Sequence, residues 1–483
     1  MVFLTFLLLS AFAGPSAAFS IPDAAQRVLQ GHAEAHDPPR GNHRVIQQND
    51  SICNASTPQW TGSVSLGGER DMFFCEWLFK SRKDAETDPL IIWLNGGPGA
   101  SSLLGAFYEI GPCSVDEAGR ETEPNMLNWA NFANMLFIEW VLLAPTVWFK
   151  LTTKPSQPIG VGFSRTHDPD LWTRDLQEGG MDFDKFLDGF LDVFPEFHDR
   201  PIHFAGESFG GKYVPVYSAM TRRKFASIIL VDPLIDLYNT IMGLYDHFCV
   251  GHAEGDAVRP PRYMNDTACE RMEELSVNCE KMGQVCRDTY DENLCAGAVA
   301  ACEPVGEEYM REVVPGGRHP YDDRLACKEP PLCGNLGMER VSTYLNRDEV
   351  QKALGFPHHI DFQSVNMELN AKWSSQADVT LPSTRELSTL LDQRQTRVIN
   401  TQGLLRTLDS LAWKGRPGFR AANLEPWYYN NDDGTRIKGG TVKSHKMLTL
   451  VTLDSAGHMS PHDQPVAAAR VVQAWLHDKP LDF

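Results

Sequence analysis

Ser208, in the stretch HFAGESFGGKYVP (203–215), is the residue whose surroundings most clearly favour covalent chemistry. Its Gly-x-Ser-x-Gly pattern follows the apolar run RPIHFA and precedes KYVPVYSAMTRRK, which can begin a helix. On such a sharp strand-to-helix turn a serine is exposed, and the flanking glycines leave room for its strained backbone. The positive end of the following helix would favour a developing oxyanion. We therefore predict that Ser208 is a nucleophile rather than part of an ordinary glycine-rich turn.

A nucleophilic serine needs a base, and His458 is the best placed histidine. It lies in TLDSAGHMSPHDQP, directly after the last apolar run of the chain and before the helical pattern VAAARVVQAWLHD. His462 is the competing candidate. We favour His458 because it occupies the tight Ala-Gly turn immediately after the expected strand.

The elements that would position these residues alternate between strand and helix. Five short apolar runs end in turn residues, as buried parallel strands do: DPLIIWLNGGPG, FANMLFIEW, RPIHFAGES, FASIILVDPL and KMLTLVTLDSAGH. Between them lie helical patterns such as MDFDKFLDGFLDVFPEF. This alternation predicts an α/β protein with a central, mostly parallel sheet covered on both faces.

Composition and cysteine usage indicate an exported globular protein. The net charge of −19 and the lack of a basic patch argue against nucleic-acid binding. Eight of the eleven cysteines crowd between Cys249 and Cys333, without zinc-ligand spacing, which indicates a disulfide-stapled segment. The patterns at Asn49, Asn54 and Asn265 suit glycosylation.

The chain divides into four predicted regions. The apolar N-terminus reads as a signal peptide, too short to span a membrane, and a polar stretch after it reads as a propeptide or flexible arm. The cysteine-rich block interrupts the strand–helix rhythm and reads as a lid inserted into the main domain. The expected boundaries are 1–18 for the signal, 19–48 for the arm, 49–236 with 338–483 for the main domain, and 237–337 for the lid.

Five stretches together resemble the serine carboxypeptidases of the carboxypeptidase Y-like, lysosomal or vacuolar type. In family order, from about residue 53 onwards, they are WLNGGPGASS, FYEIGP, GESFGGKYVP, LNRDEVQKALG and AGHMSPHDQP. The resemblance implies an α/β-hydrolase fold with a disulfide-rich helical lid, and removal of C-terminal residues from peptides or proteins. It implies neither a cofactor nor a metal, and a place in the secretory pathway, either secreted or vacuolar.

The resemblance also assigns roles to individual residues. It makes Ser208 the nucleophile and His458 the base, with an oxyanion hole formed by the N–H groups of Gly97 and Phe209. The group that receives the substrate's terminal carboxylate would be Asn95, Gly96, Glu109 and Glu207. Two carboxyl groups held close together cannot both ionise cheaply, so one would stay protonated at low pH and donate a hydrogen bond.

The cysteines fit the family's lid bridges. The implied pairs are Cys249–Cys269, Cys279–Cys302, Cys286–Cys295 and Cys327–Cys333. A further family bridge is lost at both ends, where this chain has Ala100 and Val365. Cys53, Cys75 and Cys113 remain, and at least one of the three should be unpaired.

The chain departs from the family in two places. Removing Val141 to Gln157 would restore the family's continuous NMLFIEWPIGVGFSR, and the codons at both ends can form splice signals. We interpret this segment as a retained intron translated in frame; the alternative is a genuine surface loop with an unusually apolar exposed patch.

The second departure removes the expected catalytic acid. About ten residues that carry the family's aspartate are missing after Val398, and neither Asp392 nor Asp409 is suitably placed to replace it. A triad without its acid turns over roughly 10⁴-fold more slowly. We interpret the gap as an error in the gene model; the alternatives are a catalytically silent binding protein and, within the same fold, an acyltransferase.

Overall fold

The computed structural model describes most of the chain beyond the N-terminal segment. The described residues are 43–67, 70–139, 161–166, 173, 175–250, 264–313, 317–328, 333, 337–356, 358–374, 377–393, 403–431, 433–477 and 479. The expected signal peptide, the segment 141–157 and the break after Val398 lie outside the described residues.

Strands of the described residues form one large sheet and three small ones. In chain order they are β1 (Arg44–Gln48), β2 (Gln59–Gly67), β3 (Arg70–Phe79), β4 (Leu90–Leu94), β5 (Cys113–Val115), β6 (Thr122–Pro124), β7 (Asn134–Phe137), β8 (Arg165–Thr166), β9 (Ile202–Glu207), β10 (Ser227–Val231), β11 (Arg318–His319), β12 (Asp322–Ala326), β13 (Glu425–Asn430), β14 (Arg436–His445) and β15 (Leu448–Val451).

The large sheet has the order β1-β2-β3-β7-β4-β9-β10, with β8 beside β3. Strands β7, β4, β9 and β10 run parallel, whereas β1, β2 and β3 form an antiparallel ribbon at one side. Every residue of the four parallel strands is buried. Four of the five apolar runs therefore form parallel strands, as the sequence predicts, because both sheet faces are covered.

The prediction for the fifth run, KMLTLVTLDSAGH, is wrong about its pairing. Strand β15 pairs antiparallel with β14, in a separate three-stranded sheet with β13. Only two residues join β14 to β15, and the first of them, Lys446, has a φ of 52°. So short a connection returns the chain beside itself, which makes the pairing antiparallel.

The prediction of a propeptide or flexible arm over residues 19–48 is also wrong for its last five residues. Residues 44–48 form β1, which pairs with β2 in the register Arg44↔Ser63 to Gln48↔Gln59. The Gln48 amide further bonds the Thr61 hydroxyl at 2.7 Å. Backbone pairing to an available strand thus orders a segment that its composition alone marks as irregular.

Helices cover both faces of the sheet and build the lid. In chain order they are α1 (Leu176–Val193), α2 (Gly210–Met220), α3 (Leu237–Phe248), α4 (Asp266–Thr289), α5 (Glu292–Val313), α6 (Met338–Leu345), α7 (Asp348–Ala353), α8 (Met367–Ser374), α9 (Ala377–Thr380), α10 (Thr384–Asp392), α11 (Gly403–Ser410), α12 (Arg416–Ala421), α13 (Ser460–Asp463) and α14 (Pro465–Leu476). A π-helical turn, Gly105–Glu109, precedes β5.

Helix α1 shows how the sequence fixes the core. Asp175 caps it by accepting a hydrogen bond from the Glu178 N–H at 2.7 Å. Its phenylalanines, at three- and four-residue spacing, face the sheet, and Phe183 stacks on Phe204 of β9 with ring centroids 4.6 Å apart. The strand that ends at Ser208 is therefore held between packed layers.

The lid segment contains helices α3 to α5 and the hairpin β11–β12, with a hydrophobic cluster of its own. Its four disulfide bridges are Cys249–Cys269, Cys279–Cys302, Cys286–Cys295 and Cys327–Cys333, the pairs that the family resemblance implies. A fifth bridge joins Cys53 to Cys113. The side chain of Cys75 lies outside the described part of the molecule.

Ala100 and Val365, which replace the missing family cysteines, face each other in an isolated antiparallel β-bridge. Backbone bonds Ser101 N–H to Ser364 O and Asn366 N–H to Gly99 O, both 2.9 Å, flank it. The backbone therefore makes the connection without a disulfide. Within the described ranges, no helix combines the length and apolarity needed to cross a bilayer.

Candidate active site

Ser208 lies on the turn between β9 and α2. Its φ of 57° is left-handed, and its side chain is partly exposed. The Ser208 N–H donates to Val231 O at 3.0 Å, and Leu234 N–H donates to Ser208 O at 2.7 Å. These two bonds hold the strained residue against the end of β10. The geometry is that of a nucleophile elbow.

The turn after β4 packs directly against this elbow. A Cβ on Gly96 would lie 2.3 Å from Phe209 N and 2.8 Å from Ser208 Cβ, so only glycine fits. Within the described ranges, the N–H groups of Gly97 and Phe209 make no backbone hydrogen bond. Both stand beside the start of α2, where partial positive charge accumulates. They are therefore suited to stabilise an oxyanion formed at Ser208.

Asn95, Glu109 and Glu207 form a buried cluster beside the elbow. The Asn95 amide donates to Glu109 Oε1 at 3.2 Å and to Glu207 Oε1 at 3.4 Å. Its own oxygen accepts from Trp93 Nε1 at 2.8 Å and from Gly105 N–H at 3.0 Å, which fixes the orientation of the amide. The structure thus brings together both carboxyl groups and the amide that the resemblance assigns to carboxylate binding.

The two carboxyl groups lie within hydrogen-bonding range of each other. Burial raises the pKa of Glu109, and burial followed by the charge of Glu109 raises the pKa of Glu207 well above its usual range. The Oε2 atoms of both are buried, without a partner among the described hydrogen bonds. The pair therefore keeps a proton that it can donate to an incoming carboxylate.

Asp232 is a third carboxyl group that sequence reasoning missed; the residue is half-buried and its Oδ2 atom is fully buried. It follows β10 directly, beside the elbow, because Val231 pairs in register with Glu207. Its carboxyl accepts hydrogen bonds from Ser460, and it lies within electrostatic range of Glu109. Burial raises its pKa to about 8. The available signal was a polar residue at the carboxyl end of a buried parallel strand, where α/β sites form.

His458 lies on the loop between β15 and α13, against the lid. Its N–H donates to Tyr321 O at 2.8 Å, and its ring lies 5.3 Å from the Tyr321 ring. Burial lowers its pKa to about 4, so the imidazole is neutral above that pH. Among the described residues, no hydrogen bond joins the His458 ring to the Ser208 hydroxyl.

The competing histidine and the two alternative acids are engaged elsewhere. His462 stacks on Tyr108 with centroids 4.0 Å apart, and its Nδ1 bonds Tyr108 O at 2.9 Å. Asp392 accepts from the Lys414 N–H at 2.9 Å, and Asp409 pairs with Lys443 Nζ at 3.2 Å.

The glycosylation candidates have exposed side chains. Asn49 and Asn54 lie between β1 and β2, and Asn265 caps α4 by accepting from Ala268 N–H at 2.9 Å. In the described part of the chain, no group of three or more His, Cys, Asp or Glu side chains is arranged to hold a metal ion.

The mostly parallel sheet, the elbow after β9 and the disulfide-rich lid define an α/β-hydrolase fold. The structure is similar to that of Kex1(delta)p, a prohormone-processing carboxypeptidase from Saccharomyces cerevisiae, with a TM-score of 0.71 and 22% identity over 91% of this chain and 97% of that one. The serine carboxypeptidase family model matches residues 51–478. The chain therefore belongs to the serine carboxypeptidase family and is a peptidase hydrolase.

Curated relatives cover nearly the whole chain. It is 31% identical over 472 residues to carboxypeptidase Y homolog A of Talaromyces stipitatus, covering 93% of this chain and 78% of the relative. It is 29% identical over 487 residues to carboxypeptidase Y of Komagataella phaffii, covering 97% of this chain and 85% of the relative.

Proposed function

We propose that this protein releases C-terminal amino acids from peptides through an acyl-enzyme on Ser208. The observation that carries the proposal is the pair of buried carboxyl groups, Glu109 and Glu207, beside a partly exposed serine on a strained turn. An ordinary esterase has no need of a protonated carboxyl pair next to its nucleophile. A substrate with a free terminal carboxylate can use one, because a protonated carboxyl group donates a hydrogen bond to that anion and does not repel it.

The chemistry divides into acylation and deacylation. The Ser208 hydroxyl attacks the last peptide carbonyl while the His458 ring accepts its proton, and the N–H groups of Gly97 and Phe209 stabilise the oxyanion. The proton then passes from His458 to the leaving amine as the C–N bond breaks, which frees the terminal amino acid. Water, deprotonated by His458, breaks the Ser208 ester, and the hydroxyl regains its proton. In this proposal the Ser208–His458 hydrogen bond forms only with substrate bound.

The pH at which the two functional groups change charge supports acid operation. His458, with its pKa lowered to about 4, is an unprotonated base even in mild acid. Glu109 and Glu207, with raised pKa values, keep their proton in the same range. Because its surroundings lower the pKa of the base while those of the glutamates raise theirs, there is a pH range in which the base is unprotonated and the carboxyl pair keeps its proton.

We further propose that the chain as printed is weakly active, because its catalytic acid is missing after Val398. In the proposal, residues 141–157 and this gap are gene-model errors. A histidine without its acid loses tautomer control and imidazolium stabilisation, at a cost of about 10⁴-fold in turnover. Five disulfides and an apolar N-terminus support a place in the secretory pathway, whether secreted or vacuolar.

The test is to express two forms and measure release of a free amino acid from an N-blocked dipeptide. One form is the printed chain. The other, the corrected chain, lacks Val141–Gln157 and has the family's Gly-Asp-x-Asp-like turn restored after Val398. Activity confined largely to the corrected chain supports both proposals, provided that Ser208→Ala abolishes it. Silence of both forms, when circular dichroism shows them folded, would instead support a binding protein.

A further inference from the structure

A groove runs between the lid helix α4 and the helices α10 to α12, and its lining residues are far from Ser208 in the sequence. It consists of two adjoining cavities of about 560 Å³ and 670 Å³. Both cavities are lined by the same four residues, Gln284, Arg287, Ser410 and Arg416, so they form one continuous space. We call this space the arginine groove. None of its lining residues belongs to the site around Ser208.

Cations outnumber acids along the arginine groove. Its lining carries five arginines and a lysine, which are Arg287, Arg385, Arg406, Arg416, Arg420 and Lys281. Its four acids are Glu280, Asp288, Asp392 and Asp409. This excess runs against the composition of the chain, which has 63 acidic and 44 basic residues. The arrangement is therefore a local feature and not a reflection of an overall basic surface.

Each of the four acids already has an ion-pair or hydrogen-bond partner. Glu280 pairs with Arg406 at 3.0 Å, and Asp409 pairs with Lys443 at 3.2 Å. Asp288 accepts a hydrogen bond from the Gln284 amide, and Asp392 accepts one from the backbone N–H of Lys414. None of these four acids forms an ion pair with Arg287, Arg385, Arg416 or Arg420 among the described residues.

Four arginines, Arg287, Arg385, Arg416 and Arg420, form no ion pair with a carboxylate of the described residues. Arg287 lies 4.8 Å above the Tyr238 ring, and Arg385 lies 3.5 Å above the ring of Tyr290. Stacking occupies the flat faces of these guanidinium groups and leaves N–H donors at their edges.

Arg287 is partly buried and lines both cavities of the groove. Desolvation lowers the pKa of Arg287; the charges of Asp236 and Asp288 act against this shift, and the charge of Arg406 adds to it. An arginine does not give up its proton at physiological pH, so a partly buried guanidinium without an ion pair is stabilised by binding an anion. The hydroxyls of Thr384, Ser388 and Ser410 line the same cavity and bond Tyr290 OH, Thr384 O and Thr407 O, respectively.

We propose that the arginine groove binds a phosphate-bearing anion, held by Arg287, Arg385 and Arg416 at its centre. Planar guanidinium forks match phosphate oxygens in pairs, so the stacked arginines supply the donors that such an anion needs. The space exceeds what one phosphate fills, so the ligand carries more than one phosphoryl group or a phosphate on a small organic body. Binding here is independent of the proposed peptidase reaction.

Isothermal titration calorimetry with two probes tests the proposal and separates the two kinds of ligand. Pyrophosphate represents the free inorganic anion, and phenyl phosphate represents an organic monoester. Saturable binding of either supports the groove, and the tighter probe identifies the class. Affinity should fall as sodium chloride is raised, because the contacts are ionic. No saturable heat from either probe at millimolar concentration would overturn the proposal.

Variants of the groove arginines test whether the anion binds in the arginine groove. Arg287→Gln with Arg385→Gln should weaken the affinity about tenfold or more, since charge-assisted hydrogen bonds are lost. The matched control is Arg222→Gln, an exposed arginine already paired with Asp184 at 2.8 Å, which should bind as the wild type does. Arg385→Gln alone, at an exposed position, serves if the double variant does not fold. Wild-type affinity in the folded groove variants would refute the assignment.

Discussion

The N–H of His458 donates to the carbonyl oxygen of Tyr321 over 2.8 Å, which fastens the loop of the proposed base to the lid hairpin β11–β12. Arg324 of the same hairpin reinforces this contact. Its guanidinium bonds Asp463 at 2.6 Å and also reaches Ser455 O. Asp463 in turn accepts from Gly457 N–H at 2.6 Å. The lid therefore takes part in positioning the base.

Arg324→Gln in the corrected chain should lower kcat for an N-blocked dipeptide by roughly tenfold to a hundredfold, with a smaller change in KM. Glutamine is too short to bridge Asp322 and Asp463, so the loop of His458 would lose its alignment, and small misplacements of catalytic groups are costly. Steady-state kinetics measure the split. Arg222→Gln removes an equal charge at an exposed position paired with Asp184 and Asp188, and should leave both constants unchanged. An Arg324 variant with wild-type kcat would contradict the role.

The kcat/KM of the corrected chain for a free dipeptide should be bell-shaped in pH. It should rise as His458 loses its proton, at a pH above the pKa of about 4 in the chain without its acid, because the restored carboxylate favours the imidazolium. It should fall at higher pH as the Glu109–Glu207 pair ionises and repels the substrate carboxylate. A C-terminal amide has no charge to repel, so its hydrolysis should persist on the alkaline side. Stopped assays with both substrates from pH 3 to 9 give the two profiles.

The control for this profile is the double variant Glu109→Gln with Glu207→Gln. Its cluster cannot ionise, so the fall at alkaline pH should disappear for the free dipeptide, even if activity at pH 5 is lower. A profile for the free dipeptide that stays flat from acid to alkali in the corrected chain would argue against the carboxyl pair. So would an unchanged alkaline limb in the double variant.

Removing the Cys53–Cys113 bridge should lower the free energy of unfolding by about 4 kcal/mol. The bridge spans 60 residues, and the chain entropy that a disulfide removes from the unfolded state grows with loop length. Urea denaturation of a variant with alanine at both positions measures the change. The bridge Cys327–Cys333 spans 6 residues, so its double-alanine variant should lose only about 2 kcal/mol. A larger loss from the short bridge would reverse the expected order.

Glu139 should make the protein less stable as pH rises. It follows β7, is buried, accepts from Leu103 N–H at 3.3 Å, and has an Oε2 without a partner in the described structure. Burial raises its pKa from 4.5 to about 7. Because the folded state holds this proton more tightly, its contribution is present below pH 4.5 and is lost towards pH 7, at a cost of up to about 3 kcal/mol.

The measurement is urea unfolding at pH 4.5 and 7.5 for the wild type and Glu139→Gln. The variant carries no ionisable group there, so its stability should depend less on pH. Glu86→Gln, an exposed control, should retain the wild-type dependence. Equal pH dependence in the Glu139 variant and the wild type would show that this carboxyl is not responsible.

Much of the fold could be predicted from local pattern. The apolar runs that became β4, β7, β9 and β10 are fully buried strands, and the glycine-flanked Ser208 lies on the turn that its neighbours require. Such features depend on residues close in sequence, whose backbone preferences and hydrophobic period are readable directly. The direction of β15 was not readable, because a two-residue hairpin overrode the expectation of a parallel strand.

The sequence by itself determined which residue types could do the chemistry: a strained serine, a histidine near the end of the chain, two glutamates and the cysteines of the lid. Tertiary structure decided which of them meet. It brought the Glu109 and Glu207 carboxyl groups within hydrogen-bonding distance of the Asn95 amide, with Asp232 close to Glu109. It also joined the backbone of His458 to that of Tyr321 in the lid. These contacts join residues far apart along the chain, so they depend on the packing of whole layers, and the same packing excludes the water that sets each pKa.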